Sequence, residues 1–142
     1  MAGQTADALQ VAVKALARRE LSAAELLQRV TRAGFSADDA ARAVADLREA
    51  GYQSDERAAR DRARVLAERG FGNAAIRDDL RRRRFDVDTE PVLAELPPEP
   101  ERAGALAERI GPGRRLMQTL QRKGYSEETI VTVTGVDVAE SL

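Results

Sequence analysis

The chain has 142 residues, a formal net charge of −1, and neither cysteine nor histidine, which excludes several classes of protein at once. Without cysteine there can be no disulfide framework, thiolate nucleophile or cysteine-ligated metal site. Without histidine, the usual general base near neutral pH and the commonest metal ligand are both missing. We therefore expect no catalytic residue, no metal and no cofactor, and the length favours a single continuous domain.

The sequence also lacks membrane and export signals. No apolar run approaches the roughly 18–20 residues of a membrane span, and the N-terminus has no apolar core of a secretory signal. These features predict a soluble, cytoplasmic protein without a membrane partner. We further expect it to be a monomer.

The apolar content is unusual because 26 of these residues are alanine. Larger aliphatic and aromatic side chains make up only about a quarter of the chain, which supports a thin core and favours stacked helices over a globule. The basic residues are biased too, since only Lys14 and Lys123 are lysine and the other 21 are arginine. Arginine suits planar contact with carboxylate or phosphate, but a biased genomic base composition would produce the same excess, so both explanations stay open.

The first segment, residues 1–51, carries the signals of three short helices. Leu9, Val13 and Leu16 lie at i, i+4 and i+7 and predict an amphipathic helix that ends near Arg19. Further starts and stops follow: a capping box of Ser22 with Glu25, a helix stop at Gly34, a cap at Ser36 and a second stop at Gly51.

The same arrangement returns over residues 52–97 and 98–142. In the second segment, helices are predicted from Asp55 to Arg69, from a cap at Asn73, and from Asp86 or Asp88 to Leu96, where prolines break the chain. In the third segment, the apolar positions of the three helices are Ala103, Leu106, Ala107 and Ile110; then Leu116 and Leu120; then, after a cap at Ser126, Ile130, Val131 and Val133.

One triplet recurs between the second and third helix of each segment. Its three copies are Gly34-Phe35-Ser36, Arg84-Phe85-Asp86 and Gly124-Tyr125-Ser126, and each aromatic residue has apolar residues nine and five positions before it. This register predicts an all-α fold of three tandem three-helix repeats stacked into an elongated, curved array. Because Arg84 replaces a glycine, we expect the helix before it to run on or end differently, since a left-handed conformation would strain an arginine.

Candidate catalytic groups are weak. Asp38-Asp39, Asp55-Glu56 and Asp78-Asp79 are adjacent carboxylates, but neighbours on a helix point about 100° apart and cannot form a dyad. Those in first helical turns are explained by the helix dipole. Gly70-Phe71-Gly72 and Gly111-Pro112-Gly113 follow no strand, so they predict turns between helices and not phosphate loops.

Charge is distributed unevenly along the chain. Residues 53–86 have ten arginines and seven acidic residues, whereas residues 87–110 have two arginines and six acidic residues. In the densest run, Arg81 and Arg82 are expected to face solvent, and Arg83 and Arg84 to flank the buried stripe. Two explanations stay open for this run: a solvated helix end, or a contact with an anionic surface such as DNA phosphate or an acidic protein patch. The candidate partner-binding residues are Arg18, Arg19, Arg77, Arg81, Arg82, Arg83, Arg84, Arg114 and Arg115.

Several blocks share their motif spacing with one known family. They are Ala15-Leu16-Ala17-Arg18-Arg19-Glu20-Leu21-Ser22 followed by Glu25-Leu26; Asp46-Leu47 with Gly51-Tyr52 and Asp55-Glu56-Arg57; Arg69-Gly70-Phe71-Gly72 with Ile76 and Leu80; and, more loosely, Arg122-Lys123-Gly124-Tyr125-Ser126. With these blocks the chain resembles the RecX family of bacterial regulatory proteins, the modulators of the RecA recombinase. It departs from the family pattern at Ser54, Ala58, Asn73 and Arg84.

The resemblance implies both a fold and a function. It implies three tandem three-helix units and a non-enzymatic cytoplasmic regulator that binds the RecA filament and inhibits strand exchange, ATP hydrolysis and coprotease activity. Some family members also bind DNA, so single- or double-stranded DNA is a further expected partner. The motif residues Arg18, Arg19, Glu20, Tyr52, Asp55, Gly70 and Gly72 are expected to be largely architectural. The alternative is a helical-repeat protein that binds nucleic acid directly, without RecA.

Overall fold

The computed structural model describes residues 2–135, with side chains from residue 6 onward. This part of the chain is all-α, with nine helices and no strand. The helices are α1 (Ala2–Arg18), α2 (Ala23–Arg32), α3 (Ala37–Glu49), α4 (Asp55–Glu68), α5 (Asn73–Arg82), α6 (Thr89–Ala94), α7 (Glu99–Ile110), α8 (Arg114–Arg122) and α9 (Glu127–Thr134). None of these described helices is long and apolar enough to cross a membrane.

Serine side chains begin three of the helices, as the sequence predicts. Ser22 forms a complete capping box: its Oγ accepts from the Glu25 N–H at 3.0 Å, and Glu25 Oε1 accepts from the Ser22 N–H at 3.1 Å. Ser36 and Ser126 cap α3 and α9 by accepting from the third N–H group beyond them. The predicted caps at these three positions are confirmed, and each satisfies a donor that the first helical turn leaves unpaired.

One other predicted cap is wrong, and one alternative left open by the sequence is settled. Asn73 does not cap α5 but is its first residue, and its Oδ1 accepts from Arg102 at 2.9 Å. The carboxylate of Glu99 takes the place of a local cap by accepting from the Asn73 N–H at 2.8 Å. Of the two residues proposed to open α6, Asp88 is the cap and Asp86 is not. In addition, α1 begins at Ala2.

The turn after α5 holds Arg84 in an unexpected backbone conformation. The helix stops at Arg82, in register with the ends of α2 and α8, so the prediction that it runs on or ends differently is wrong. Arg84 takes the left-handed conformation with φ of 60°, as the equivalent Gly34 and Gly124 do with positive φ. It is the only non-glycine residue in residues 2–135 with this conformation. The repeated turn therefore overrides the local preference of arginine, at a cost of about 1–2 kcal/mol.

Arg84→Gly is expected to raise the free energy of unfolding by about 0.5–1 kcal/mol, because glycine relieves the left-handed strain at some cost in unfolded-state entropy. Urea denaturation followed by circular dichroism would measure the change. Arg81→Gly is the matched control, since it removes the same charge from a helical position and should lower stability by about 0.5–1 kcal/mol. A destabilised Arg84→Gly variant would contradict the strain argument.

The chain divides into two compact units. Unit 1 comprises the residues up to Arg62 together with Arg81–Val87, and unit 2 comprises Ala63–Leu80 together with the residues from Asp88 onward. Each predicted repeat holds three of the described helices. The repeat boundaries at 1–51, 52–97 and 98–142, and the elongated stacking of the repeats, stay predictions.

The core of unit 1 is built largely from alanine. Ala8, Ala12 and Ala15 on α1 are buried, as are Ala40 and Ala43 on α3. Small side chains let the two helices approach closely, as their frequency in the sequence suggests. The predicted stripe on α1 is rotated from this buried face, because Leu9 and Leu16 are only partly buried and Val13 is 48% exposed.

Backbone groups meet directly in unit 2. The N–H groups of Gly72 and Ala74 donate to the carbonyls of Lys123 and Gly124 at 2.8 and 3.2 Å. A Cβ atom at Gly72 would lie 2.6 Å from the Gly124 backbone, so only glycine fits this contact. Beside it, the Tyr125 hydroxyl donates to the Gly70 carbonyl at 2.8 Å. The glycine motif therefore joins the start of α5 to the α8–α9 turn.

Gly72→Ala is expected to lower the free energy of unfolding by about 2–3 kcal/mol, because two backbone segments must separate to admit the methyl group. Gly104→Ala is the matched control within unit 2, since no atom lies within 4 Å of its added Cβ in α7. It should raise stability by about 0.5–1 kcal/mol, because alanine is the better helix former. Thermal and urea unfolding would measure both, and equal effects at the two glycines would argue against the contact.

Candidate functional site

Six of the predicted contact arginines lie in unit 1. Arg18, Arg19, Arg81 and Arg82 are exposed. Arg83 is partly buried and donates to Glu25 at 3.1 Å, and its carbonyl accepts from the Ser22 hydroxyl at 2.8 Å. Arg84 is exposed, so the expectation that it flanks the buried stripe is wrong, because its left-handed turn carries it away from the helix face.

The other three predicted arginines lie in unit 2. Arg77 is bound to Glu90 by two hydrogen bonds of 2.9 and 3.3 Å. Arg114 and Arg115 are exposed at the start of α8. Arg77 and Arg83 thus each form an ion pair with a glutamate of the same chain.

Arg115 lines a strongly basic cavity in unit 2. The cavity has a volume of about 590 Å³ and is lined by Arg69, Leu106, Arg109, Ile110, Arg115, Gln118, Thr119, Arg122 and Lys123. Five of these residues are cationic and none is acidic. We call this feature the basic cavity.

Helix ends bring the cations of the basic cavity together. Arg69 directly follows α4, Arg109 lies in the last turn of α7, and Arg122 lies in the last turn of α8. Cations are favoured at helix C-termini by the negative end of the helix dipole. Arg115 and Arg122 lie seven residues apart and therefore on one face of α8.

The cations differ in how they are held. Lys123 Nζ donates to the Arg69 carbonyl at 3.1 Å and lies 4.5 Å from the centre of the Phe71 ring. The side chains of Arg69, Arg109, Arg115 and Arg122 have no hydrogen bond or ion pair with any residue that the structure describes. The basic cavity thus concentrates positive charge that the described protein does not neutralise.

Sequence reasoning found only Arg115 of these five cations. Arg69, Arg109, Arg122 and Lys123 were missed because they belong to separate helix ends, which only the fold brings together. A weak local signal exists in the polar face of α8, where Arg115, Thr119 and Arg122 follow one another at helical spacing.

Unit 1 contains an apolar groove of about 610 Å³. Its lining residues are Leu9, Val13, Leu16, Ala17, Asp46, Leu47, Ala50 and Tyr52. Tyr52 was expected to be architectural, but its side chain is 70% exposed. An aromatic ring this exposed beside an apolar groove is typical of a protein contact surface.

Glu20, another motif residue, is architectural, as expected. Arg57 donates to Glu20 at 3.1 Å and to the carbonyls of Gly51 and Tyr52 at 3.1 and 2.7 Å. These bonds fasten the start of α4 to the segment before α2 and to the turn after α3. Arg57 and Glu20 therefore serve the junction between helices.

Asp55 and Glu99 occupy equivalent positions at the first residue of α4 and α7. Asp55 accepts from the backbone N–H groups of Ala23 and Asp86 at 2.8 and 2.7 Å. Glu99 accepts from those of Asn73 and Ser126, both at 2.8 Å. The Glu99 carboxylate is thus bound by the N-termini of α5 and α9, and that of Asp55 by the N-terminus of α2 and by the turn before α6.

The carboxylates form no metal centre within the described residues. Asp38 and Asp39 lie in the first turn of α3, and Asp55 and Glu56 in the first turn of α4, where negative charge suits the helix dipole. The part of the chain that the structure describes has no group of three or more acidic residues placed to hold a metal ion.

Hydrogen bonding controls the ionisation of Glu99. Burial raises the pKa of its carboxyl, but backbone N–H groups of Ser126 and Asn73 and the hydroxyls of Thr129 and Ser126 outweigh that effect, so the pKa lies below its ordinary value. Burial also raises the pKa of Tyr125, opposed by the charge of Arg102 and reinforced by that of Glu99.

Glu99→Gln is expected to lower the free energy of unfolding by about 1–3 kcal/mol near neutral pH, because an amide replaces a charged acceptor of two N–H groups. Since the folded-state pKa of Glu99 is lowered, its contribution is present above the unfolded-state pKa and is lost as the pH falls through the folded-state value. Urea titrations between about pH 7 and pH 3 should therefore give a shallower decline for the variant. Glu101→Gln, an exposed change in the same first turn, should leave the slope near that of the parent.

Comparison with known proteins identifies related chains. No protein-family model matches the sequence. The regulatory protein RecX of Syntrophotalea carbinolica is 33% identical over 140 residues, covering 87% of this chain and 92% of that protein. The regulatory protein RecX of Chromohalobacter salexigens is 34% identical, covering 88% of this chain and 85% of that protein.

Other alignments are shorter. The regulatory protein RecX of Legionella pneumophila is 37% identical over 81 residues, so the matched part spans 57% of this chain and about half, 54%, of that relative. Among solved structures, the crystal structure of RecX from Lactobacillus salivarius superposes with a TM-score of 0.77 at 17% identity, covering 94% of this chain and 96% of that one. The helical fold is shared with that structure.

Proposed function

Since the chain belongs to the RecX family of regulatory proteins, we propose that it binds RecA and RecA–DNA filaments in the cytoplasm and inhibits recombinase, ATPase and coprotease activity. The observation that carries this proposal is the alignment over nearly the whole length of a RecX relative. A regulator of this kind acts by occupying a surface of its partner and needs no catalytic group.

The end of α5 supplies the proposed contact with RecA. Arg81 and Arg82 lie exposed in its last turn, directly before Arg83, which is held by Glu25. Adjacent guanidinium groups repel one another, so an anionic surface that neutralises them lowers the electrostatic free energy. Because Arg83 is anchored, the exposed pair is presented from a fixed backbone.

Arg81→Glu together with Arg82→Glu should weaken inhibition of the single-stranded-DNA-dependent ATPase of preformed RecA filaments. Reversing two contact charges turns attraction into repulsion, so the concentration for half-inhibition should rise about tenfold or more. The assay titrates parent and variant against fixed RecA and DNA, with circular dichroism as a check on helicity.

Arg42→Glu together with Arg48→Glu is the matched control, because it makes the same charge change at exposed positions of α3 in unit 1. It should leave half-inhibition within about twofold, as expected for charges outside the contact. Equal inhibition by all three proteins would remove Arg81 and Arg82 from the contact surface. A folded parent that never alters the ATPase would overturn the proposed function itself.

The second candidate function is direct binding of nucleic acid without RecA, and the basic cavity favours it. The two candidates separate in solution, because several phosphate contacts give a steep fall of affinity with salt. A RecA regulator that contacts only protein would inhibit the ATPase and show no such DNA affinity.

A further inference from the structure

We propose that the basic cavity of unit 2 binds consecutive backbone phosphates of a nucleic-acid strand, independently of base sequence. The inference gives a defined site to the second candidate function and rests on nucleic acid being a partner. It does not require RecA, so it is tested in the absence of RecA.

The described residues do not compensate the positive charge of the basic cavity. Arg69, Arg109, Arg115 and Arg122 surround one cavity of about 590 Å³, and no carboxylate lines it. Ordinary surface arginines spread apart or pair with acids, as Arg77 does with Glu90. Four guanidinium groups without an ion pair among the described residues, together with the Lys123 ammonium, gain most from a multivalent anion, and the guanidinium fork matches two phosphate oxygens.

The spacing of the charges favours a nucleic-acid strand over an acidic peptide. A stacked strand carries one charge per about 3.4 Å of its axis whatever its sequence, whereas an extended peptide, at about 3.3 Å per residue, reaches that density only if every residue is acidic. Arg115 and Arg122 lie about 10 Å apart along the axis of α8, which matches about three phosphate steps of a stacked strand. The denser polyanion satisfies more of the cations that share this cavity.

The absence of an open aromatic face in the lining argues for contacts to phosphate and not to bases. The nearby Phe71 ring is already engaged by Lys123 at 4.5 Å. The apolar residues of the lining are aliphatic, Leu106 and Ile110. Base stacking needs an accessible aromatic surface, and phosphate contacts alone position a strand without reading its sequence.

Fluorescence anisotropy of the full chain with a short labelled single-stranded DNA of mixed sequence tests this site. Arg115→Gln together with Arg122→Gln should reduce affinity about tenfold or more and make the log–log salt slope shallower by about 1.4, since each single-strand phosphate contact contributes about 0.7. Arg42→Gln together with Arg48→Gln removes the same charge from α3, and should change affinity less than about twofold. Circular dichroism and thermal unfolding confirm that both variants are folded.

Three results would overturn the proposal. One is an equal loss of affinity in the two variants, which would mean diffuse electrostatic attraction. Another is displacement of the DNA by polyglutamate at a lower charge concentration than by unlabelled DNA, which would favour an acidic protein segment. The last is binding of inorganic tripolyphosphate without any binding of the oligonucleotide, which would indicate a free phosphate ligand. Loss of affinity confined to the cavity variant, with weak competition from tripolyphosphate, supports binding of a nucleic-acid strand. None of these outcomes depends on inhibition of RecA.

Discussion

A carboxylate that accepts hydrogen bonds from the backbone N–H groups of two distant segments is the interaction on which each unit depends. It stands at the first residue of α4 in unit 1 and of α7 in unit 2, as Asp55 and Glu99. The bonded pairs are Ala23 with Asp86, and Asn73 with Ser126. Helix N-termini leave N–H groups unpaired and carry partial positive charge, so each anion satisfies donors of two distant segments, at least one of them a helix N-terminus, and suits the dipole of its own helix. Because these bonds join residues 26 to 32 positions apart, they fix helix directions that thin, alanine-rich packing would leave less defined.

Residues that carry the family resemblance are used mainly at such junctions. Glu20 is bound by Arg57, and Gly72 allows backbone contact with the turn at Gly124. These residues make their contacts within the fold, so they identify the architecture and do not mark a surface for a partner. Tyr52 differs, because its carbonyl is used by Arg57 while its ring is exposed to solvent. A motif residue can therefore serve the fold through its backbone and remain available to a partner through its side chain.

Local signals predicted most helices, because capping serines, glycine stops and apolar spacing act within a few residues. The buried positions before each aromatic residue were predicted correctly on the same basis, as Leu26, Ile76 and Leu116 show. Prediction failed where distant contacts decide the outcome. Glu99, 26 residues away, replaces Asn73 as the acceptor at the start of α5, and the recurring turn holds Arg84 in a strained conformation. The basic cavity escaped prediction for a related reason, since its cations come from the ends of three helices.

The net charge of −1 conceals two uses of arginine. Some arginines are structural: Arg57, Arg77 and Arg83 each pair with a glutamate and position a helix end. Such pairs contribute little stability at an exposed surface, but they neutralise the charge that would attract a partner. Arg115 and Arg122 form no such ion pair within the described residues, and no described acidic side chain lines their cavity. An anion gains most binding free energy where protein carboxylates do not already compete for the cations. Whether an arginine is paired within the fold therefore distinguishes a binding arginine from a structural one better than the density of arginine in the sequence does. The run at Arg81–Arg84 is dense but partly engaged, whereas the basic cavity is assembled from scattered residues and has no counter-charge among the residues that the structure describes.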